Sequence, residues 1–429
     1  MEHNMRLTPE EEAILNGEQG ESLAKVMKTL VLYGDAFGAE KFVDVTGPSH
    51  LVTSFGLNVL KPVFAIMDEL IAGGVKAKMP FTVDPRPDFA NIESGLLENL
   101  VFKKIMYGMQ EAYDAQLAKL GLKNSNAYTC TCYHEEVGNI PKYGDILSWA
   151  ESSAVVYANS VIGARSNRNS GIIELFGAIL GKVPFFDLLT DEGRQAKWVV
   201  EVKTSKLPEA QVLGSTVGMK VMEDVPYVKG LGQFLGSELT GGVKDYLKDF
   251  GAAAASNGAV GLYHIEGLTP EAAEKGEGLI AEGAKTYVID DAELDRVKAS
   301  YPVIWKNKET KPVRCFIGCP HLSYRQLDDW VKKFGAELQK QGKTKVGMIT
   351  VFTAAPDVIE RFKTENMDAY GKLLRYGIKL SGFCPLMYMN NPLAEKKPVI
   401  TNSNKLRTYT SARYYTDDEI VAIAVKGGF

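Results

Sequence analysis

Three cysteines stand in similar sequence surroundings. Cys130 follows an extended segment in Thr-Cys-Thr-Cys-Tyr, Cys319 follows a strand in Gly-Cys-Pro-His, and Cys384 follows another strand in Phe-Cys-Pro-Leu. In open α/β sheets, ligands bind in the crevice beyond the carboxyl ends of the strands. Three thiolates brought together there could hold an iron–sulfur cluster and leave one iron free for a substrate. Because the sequence contains no Cys-x-x-Cys, the pattern also fits three buried structural cysteines.

The segment 151–168 combines small apolar residues with an unusual density of polar ones. Arginine side chains match carboxylate and phosphate groups through paired hydrogen bonds. The segment therefore fits the wall of a pocket for a carboxylate substrate, and equally a capped helix with a solvated end. Its candidate pocket residues are Glu151, Ser152, Ser153, Asn159, Ser160, Arg165, Asn167 and Arg168.

Three histidines lie close to these segments. His50 follows a short predicted strand, where it could act as a general acid or bind an anion. His134 precedes two glutamates, and His321 follows Cys319-Pro320. A lone histidine is more often a structural residue whose hydrogen bonds are satisfied. The sequence contains neither a Ser-His-Asp order nor an HExxH motif, which would have indicated a hydrolase.

These residues need elements that bring them together, and the pattern predicts an α/β fold. Thr8 and Glu11 form a predicted capping box at the start of the first helix. Short apolar runs alternate with longer amphipathic ones, which is typical of mostly parallel sheets. The predicted strands are 41–45, 198–203, 313–317, 346–351 and 378–380, and the predicted helices include 20–36, 62–70, 322–340 and 355–363. An α/β stretch is predicted from residue 198 to about residue 265.

Composition excludes several classes of protein. The 429 residues are 45% hydrophobic, so a fibrous or wholly disordered chain is excluded. With 49 basic and 53 acidic residues and no long basic run, we expect no nucleic-acid partner. No apolar stretch is long enough for a membrane helix, and the polar N-terminus is unlike a signal peptide. Five cysteines, an odd number, indicate free thiols and a cytoplasmic location.

Several of these segments resemble the aconitase X family, a branch of the aconitase superfamily. The specific part of the likeness is residues 149–168, which read WAESSAVVYANSVIGARSNR. Further matching segments are 7–21, 129–131, 138–141, 318–321 and 401–405. The resemblance runs from about residue 7 to about residue 425. Members of the family include dehydratases of phosphomevalonate and of cis-3-hydroxy-L-proline.

The resemblance implies a site as well as a fold. The implied fold is an aconitase-like catalytic core of several α/β/α domains, with mostly parallel sheets around a central cleft. Cys130, Cys319 and Cys384 would hold a 4Fe–4S or 2Fe–2S cluster, whereas Cys132 and Cys315 are not expected to be ligands. The residues expected to bind substrate are Val52, Thr53, Ser54, Asp84, Pro85, Glu151, Ser152 and Lys405.

The implied reaction is the removal of water from a small hydroxy carboxylate. A cluster iron with an open position would act as a Lewis acid on the hydroxyl. Lys405 would neutralise the carboxylate and the charge that develops on it. Glu151 would accept a hydrogen bond from the hydroxyl or from an iron-bound water, held near Arg165 or Arg168.

The resemblance also implies a partner subunit. Aconitase relatives use a serine base on a separate swivelling domain. We expect no such domain in this chain, and therefore a small swivel-type subunit as partner. The expected division of the catalytic core is 1–165, 166–300 and 301–429.

The substrate is the least defined expectation. Relatives that act on phosphomevalonate carry Asn where Asp84 stands. A carboxylate would repel a phosphate but would attract the ring nitrogen of a hydroxyproline, although Arg86 could neutralise it. We therefore expect a cis-3-hydroxy-L-proline type of substrate, with phosphomevalonate as the alternative. A non-catalytic or iron-sensing binding protein is the alternative from another class.

Overall fold

The computed structural model of the chain describes residues 3–52, 56–89 and 91–429. Its strands are β1 (Phe42–Asp44), β2 (Ser49–Leu51), β3 (Phe81–Val83), β4 (Lys182–Pro184), β5 (Ala196–Val202), β6 (Pro226–Lys229), β7 (His264–Ile265), β8 (Ile280–Ile289), β9 (Arg314–Leu322), β10 (Ile349–Ala354), β11 (Ile378–Ser381), β12 (Val399–Thr401) and β13 (Arg413–Tyr414).

The α-helices are α1 (Pro9–Leu15), α2 (Glu21–Ala36), α3 (Lys61–Ala72), α4 (Leu96–Leu100), α5 (Gln110–Leu120), α6 (Ser152–Tyr157), α7 (Ile173–Leu180), α8 (Ala210–Val221), α9 (Gly232–Leu235), α10 (Gly241–Gly258), α11 (Pro270–Lys275), α12 (Asp291–Ala299), α13 (Tyr324–Lys340), α14 (Pro356–Glu365), α15 (Met367–Arg375), α16 (Pro385–Met389), α17 (Asn404–Tyr409) and α18 (Asp417–Lys426). Two π-helical turns, Val101–Met106 and Ala158–Ile162, continue α4 and α6.

The C-terminal part is built on a five-stranded sheet in the order β11-β10-β9-β12-β13. All of its strand pairs are parallel. Helix α13 covers one face, where Trp330 and Phe334 pack on Phe352 of β10 with ring centroids 6.1 and 5.4 Å apart. Every residue of β9 is buried, as expected for the central strand of a sheet covered on both faces.

Strand β9 is longer than predicted and contains a bulge. The sequence indicated an end at Gly318, but β9 continues to Leu322. Ile317 pairs with Phe352 and Leu322 with Ala354, so residues 318–321 of β9 stand opposite Thr353 alone. Gly318 has φ +108°, and a Cβ there would lie 2.4 Å from the carbonyl oxygen of Thr353. The bulge turns Cys319 and His321 out of the regular strand alternation.

A second parallel sheet, in the order β7-β6-β5-β8, lies in the middle of the chain. The predicted α/β stretch ends too early at residue 265, because β8 runs to Ile289 and completes this sheet. Strand β8 reads IAEGAKTYVI and exposes several of its side chains as an edge strand. It therefore lacks the continuous apolar run that marked the other strands.

Helix α10 is held unusually close to its neighbours by small residues. A Cβ at Gly258 would lie 1.9 Å from the carbonyl oxygen of Gly218 in α8, so only glycine fits there. A Cβ at Gly251 would lie 3.1 Å from Val156 of α6. On the side of α17, Arg407 and Thr408 donate hydrogen bonds to Asn257. The buried run Ala252–Ala255 is thus part of a helix that supports both α6 and α17.

The N-terminal part contains a smaller parallel arrangement. Strands β2 and β3 pair in parallel. Single parallel bridges add Trp149 beside His50 and Tyr128 beside Val83. Helices α2, α3, α5 and α7 cover this arrangement with a core that includes Val26, Leu30, Phe64, Leu117 and Ile179. The predicted capping box of α1 is confirmed. The Thr8 hydroxyl accepts from the backbone N–H of Glu11, and the Glu11 carboxylate accepts from the backbone N–H of Thr8.

The structure confirms the predicted fold class, a mixed α/β fold with mostly parallel sheets. The antiparallel exception among the described strands is the pair of β1 and β4. No helix in the described part of the chain is long and apolar enough to cross a membrane.

Candidate active site

The predicted site residues lie at the carboxyl ends of two parallel arrangements. Cys319 lies in the bulge of β9, Cys384 follows β11, and Lys405 follows β12. In the N-terminal arrangement, Val52 follows β2, Asp84-Pro85 follows β3, Cys130 follows the bridge at Tyr128, and Glu151 follows the bridge at Trp149. The carboxyl ends of parallel strands are where open sheets bind ligands. An ion pair between Glu151 and Lys405 joins the two arrangements.

The Glu151–Lys405 pair is almost fully buried. Its side chains are 5% and 8% exposed. Glu151 is also the N-cap of α6, where its other oxygen accepts from the backbone N–H of Ala154 at 2.6 Å. Burial alone would raise the pKa of Glu151, but the Lys405 ammonium holds that pKa below its ordinary range. Both groups are therefore charged at neutral pH, at the start of a helix and beside the three cysteines.

Ser153 completes this ion pair. It donates to Glu151 at 2.7 Å and lies 3.3 Å from the Lys405 ammonium. The sequence placed Ser153 only in a wide pocket segment, and its particular role was missed. The residue predicted to bind substrate, Ser152, is the first residue of α6 and is partly exposed.

The three predicted cluster ligands are free thiols, and all three lie near Lys405. Cys130 and Cys319 are buried, and Cys384 is half-buried. Burial raises the pKa of each thiol, and the nearby Lys405 ammonium opposes that rise in all three. The charge of the Cys384 thiolate also raises the pKa of Cys130, and the charge of the Cys319 thiolate raises the pKa of Cys384. One cation therefore favours the thiolate form of all three cysteines, which is the form that binds metals.

The other two cysteines have different surroundings. Cys315 is the second residue of β9, where it pairs with Thr350 of β10 and Ile400 of β12, and burial alone raises its pKa. Cys132 is fully buried and lies beside His50. That these two are not ligands stays a prediction.

The donor set consists of three thiols, which are the ligands that iron–sulfur clusters take. Among the described residues, no three His, Cys, Asp or Glu side chains are close enough to hold a single metal ion. Cluster thiolates bind different irons of the same cluster, so their sulfur atoms lie further apart than the ligands of one ion. Three free thiols on separate segments near one ammonium, two of them buried and one half-buried, agree with that requirement.

Asp84 pairs with His50 instead of with Arg86. The His50 Nε2 lies 3.4 Å from an oxygen of Asp84, and the His50 Nδ1 lies 2.9 Å from Thr82. Burial raises the pKa of Asp84 to about 6, whereas His50 opposes that rise. Arg86 binds Asp114 at 2.7 Å and stacks on the ring of Tyr128. The expectation that Arg86 could neutralise Asp84 is therefore wrong.

The remaining predicted residues have mixed outcomes. The backbone N–H of Val52 donates to Glu174 at 3.1 Å, which holds the end of β2. Pro85 follows Asp84 directly in the buried loop after β3. Thr53 and Ser54 lie outside the described residues.

The two arginines of segment 151–168 do not hold Glu151. Arg165 donates to the carbonyl oxygen of Leu189 and binds Asp191. Arg168 donates to the carbonyl oxygen of Ala259. These contacts fasten the segment to the middle sheet region, and Lys405 takes the place at Glu151 that we expected an arginine to take.

Comparison with known proteins identifies the family. The model named "Aconitase X first domain" matches residues 4–192, and "Aconitase X second domain" matches residues 194–299. The phosphomevalonate dehydratase large subunit of Thermococcus kodakarensis is 34% identical over 79% of this chain and 78% of that protein. The chain belongs to the aconitase X family. It is a dehydratase of that family, a hydro-lyase.

A solved structure and a second kind of relative complete the comparison. The crystal structure of Thermococcus kodakaraensis aconitase X in its holo-form superposes with a TM-score of 0.77 at 29% identity. It covers 98% of this chain and 100% of that one. The cis-3-hydroxy-L-proline dehydratase of Hypocrea jecorina is 26% identical over 76% of this chain and 52% of that protein. The aconitase X fold predicted from the sequence is thereby confirmed.

Proposed function

We propose that this aconitase X chain is the large subunit of a phosphomevalonate dehydratase that carries an iron–sulfur cluster. The proposal depends on one arrangement, in which three thiols and the Glu151–Lys405 pair come together at the facing carboxyl ends of two parallel arrangements. Metal-assisted removal of water from a hydroxy carboxylate needs a metal site, a cation for the carboxylate, an acceptor for the hydroxyl and a base, and this arrangement supplies residues for all of these except the base.

The choice of substrate follows the relatives. Phosphomevalonate dehydratase large subunits match at 28–35% identity, whereas the two cis-3-hydroxy-L-proline dehydratases match at 26%. This favours the alternative in the sequence analysis over its main expectation. In the sequence, the negative charge of Asp84 disfavoured a phosphate. Because Asp84 pairs with His50, its repulsion of an anion is weaker than the sequence indicated.

The proposed roles of the residues follow from their places. Cys130, Cys319 and Cys384 would hold the cluster. When bound, the cluster would supply a Lewis-acidic iron that makes hydroxide a better leaving group. The Lys405 ammonium would stabilise the substrate carboxylate and the enolate-like charge that develops on it. Glu151 would accept a hydrogen bond from the substrate hydroxyl, and the buried surroundings would strengthen both interactions.

The remaining parts of the proposal concern partner and location. The archaeal relatives are named as large subunits, which supports a small subunit that supplies the missing base. The five cysteines are free thiols, as expected for the reducing cytoplasm in which we place the enzyme. Val52, Asp84, Pro85 and Ser152 would contact the substrate, as would Thr53 and Ser54.

The test is an anaerobic co-purification with a candidate small subunit. Iron, sulfide and the visible absorbance are measured first, and dehydration of phosphomevalonate and of cis-3-hydroxy-L-proline is then followed by NMR. We expect a cluster in the large subunit, no turnover by that subunit alone, and dehydration of phosphomevalonate by the complex. Turnover by the large subunit alone would contradict the two-subunit part. Faster dehydration of the hydroxyproline would contradict the substrate.

A further inference from the structure

His321 lies where the three cysteine segments meet. It stands in the bulge of β9, two residues after Cys319, and is 1% exposed. Its backbone N–H donates to the Cys130 sulfur at 3.4 Å. Its imidazole lies between the segment that precedes Cys130 and the segment that precedes Cys384.

Each ring nitrogen of His321 binds the residue next to one cysteine. Nδ1 lies 2.9 Å from the hydroxyl of Thr129, the neighbour of Cys130. Nε2 lies 3.1 Å from the carbonyl oxygen of Phe383, the neighbour of Cys384. The carbonyl oxygen of His321 accepts from Lys248 of α10 at 2.8 Å. One side chain thus spans two cysteine segments from its position on the third.

The hydrogen bonds define one tautomer of the ring. The Phe383 carbonyl oxygen can only accept, so Nε2 of His321 carries the proton. Nδ1 then accepts from the hydroxyl of Thr129, which in turn accepts from the backbone N–H of Thr131 at 3.0 Å. A neutral imidazole satisfies both of these bonds, with Nε2 donating and Nδ1 accepting.

We propose that His321 is a positioning residue that sets the spacing of Cys130, Cys319 and Cys384 through Thr129 and Phe383. The inference rests on the proposed function, because it concerns the proposed cluster ligands. Partners that orient metal ligands through hydrogen bonds typically change metal affinity about 10–100-fold when they are removed. His321 itself lies outside the proposed ligand set.

Two substitutions test the two hydrogen bonds of the His321 ring separately. In His321→Asn the shorter amide can keep the bond to Thr129 but cannot reach Phe383. In His321→Gln the longer amide can donate to Phe383 but gives up the bond to Thr129. We expect each variant, after anaerobic reconstitution, to lose its visible absorbance to an iron chelator about 10–100-fold faster than the wild type. Thr129→Val, which removes one bond and keeps the side-chain shape, should show the same direction of change.

His264 offers a matched control. It is also 1% exposed, and its Nε2 lies 2.9 Å from the carbonyl oxygen of Arg194 in the middle sheet region. His264→Gln removes a comparable buried histidine, so the urea midpoint of the cluster-free protein should fall. The rate of cluster loss should stay at the wild-type value.

The outcomes separate the inference from the proposed function. If the His321 and Thr129 variants lose stability as His264→Gln does but keep the wild-type rate of cluster loss, His321 is structural only and the inference is wrong. If the wild type itself takes up no iron and sulfide, the proposed function fails, and the inference fails with it. Should the His321 variants not fold, the rate measured for Thr129→Val decides between the two interpretations.

Discussion

At the scale of single residues, the site depends on one buried ion pair. From the sequence alone, Lys405 could also be a solvated loop lysine and Glu151 only a helix cap. Lys405 is 7% exposed and paired, so the first of these alternatives is wrong. Glu151 does cap α6, but it binds Lys405 with its second oxygen at the same time. Structural and chemical roles therefore coincide at these two residues, and a single substitution would disturb both.

A double substitution can separate the two roles. Lys405→Met leaves the Glu151 carboxylate buried without its cation, which typically costs about 3–5 kcal/mol of unfolding free energy. Lys405→Met combined with Glu151→Gln removes both charges and should regain much of that loss. We expect turnover in the two-subunit complex to stay at least about a hundredfold below the wild type in both, because the transition-state contact is absent.

Urea unfolding, iron content and turnover of the same preparations give the result. Wild-type turnover by the double variant with an intact cluster would reject a chemical role for Lys405 and Glu151.

The cysteines allow a second prediction at this scale. Ser in place of Cys130, Cys319 or Cys384 should remove iron and visible absorbance, because each thiolate would hold a different part of the cluster. Cys132→Ser and Cys315→Ser are the controls and should retain both signals. Loss of the signals in Cys315→Ser together with their retention in Cys384→Ser would show that the ligand assignment is wrong.

At the scale of elements, helix α10 contacts both helices that hold the Glu151–Lys405 pair. It packs on α6, whose N-cap is Glu151, and on α17, which contains Lys405. Close approach to α8 is possible because Gly214, Gly218 and Gly258 lack side chains at the contact. Helix α10 thus supports the elements that carry Glu151 and Lys405, and glycines outside the site allow it to pack closely on α8.

Two alanine substitutions in α10 test this support. Gly258→Ala would place a Cβ 1.9 Å from the carbonyl oxygen of Gly218, so the helices must separate. We expect a loss of about 1–3 kcal/mol in the free energy of unfolding, as for other overpacked sites. Gly241→Ala, in the same helix, has open space around its Cβ and should be neutral or stabilising by up to about 1 kcal/mol. Urea midpoints of equal size in the two variants would contradict the close-packing explanation.

At the scale of the whole molecule, the C-terminal segment closes onto the middle of the chain through Glu209. This N-cap residue of α8 accepts from Tyr414 at 3.0 Å and from the backbone N–H of Asp417 at 3.1 Å. Burial and the nearby Asp417 raise the pKa of Glu209 to about 7, from an ordinary value of 4.5. The Glu209 carboxyl, which joins distant parts of the chain, therefore changes its charge close to neutral pH.

The sign of the resulting pH dependence follows from proton binding. Between pH 4.5 and about 7 the folded state holds the Glu209 proton more tightly than the unfolded state does. The stability that this proton contributes is complete below that window and is lost as the pH rises through it. We expect the stability of Glu209→Gln relative to the wild type to increase from about pH 5 to about pH 8.

Urea unfolding at both pH values measures the difference, and Glu10→Gln on the exposed face of α1 is the control. A difference between Glu209→Gln and the wild type that is the same at both pH values would contradict the raised pKa of Glu209.

The sequence by itself determined the local elements and the chemical types at the site. Capping at Thr8, the apolar face of α13 and the mostly parallel α/β pattern depend on neighbouring residues, so they could be predicted without the fold. The three cysteines, Glu151 and Lys405 were found through their motifs. Only the tertiary structure decided which of them meet.

Partner choice depends on packing between segments that lie 26 to 254 residues apart in the sequence. The pairs Lys405–Glu151 and Arg165–Asp191, together with the contacts of His321 with Thr129 and Phe383, have no signature in local spacing. The bulge at Gly318 likewise depends on Thr353 in the neighbouring strand. For these residues the sequence defined which chemical groups were available. The packing of the strands and helices defined which of these groups touch, because only packing brings the carboxyl ends of distant strands together.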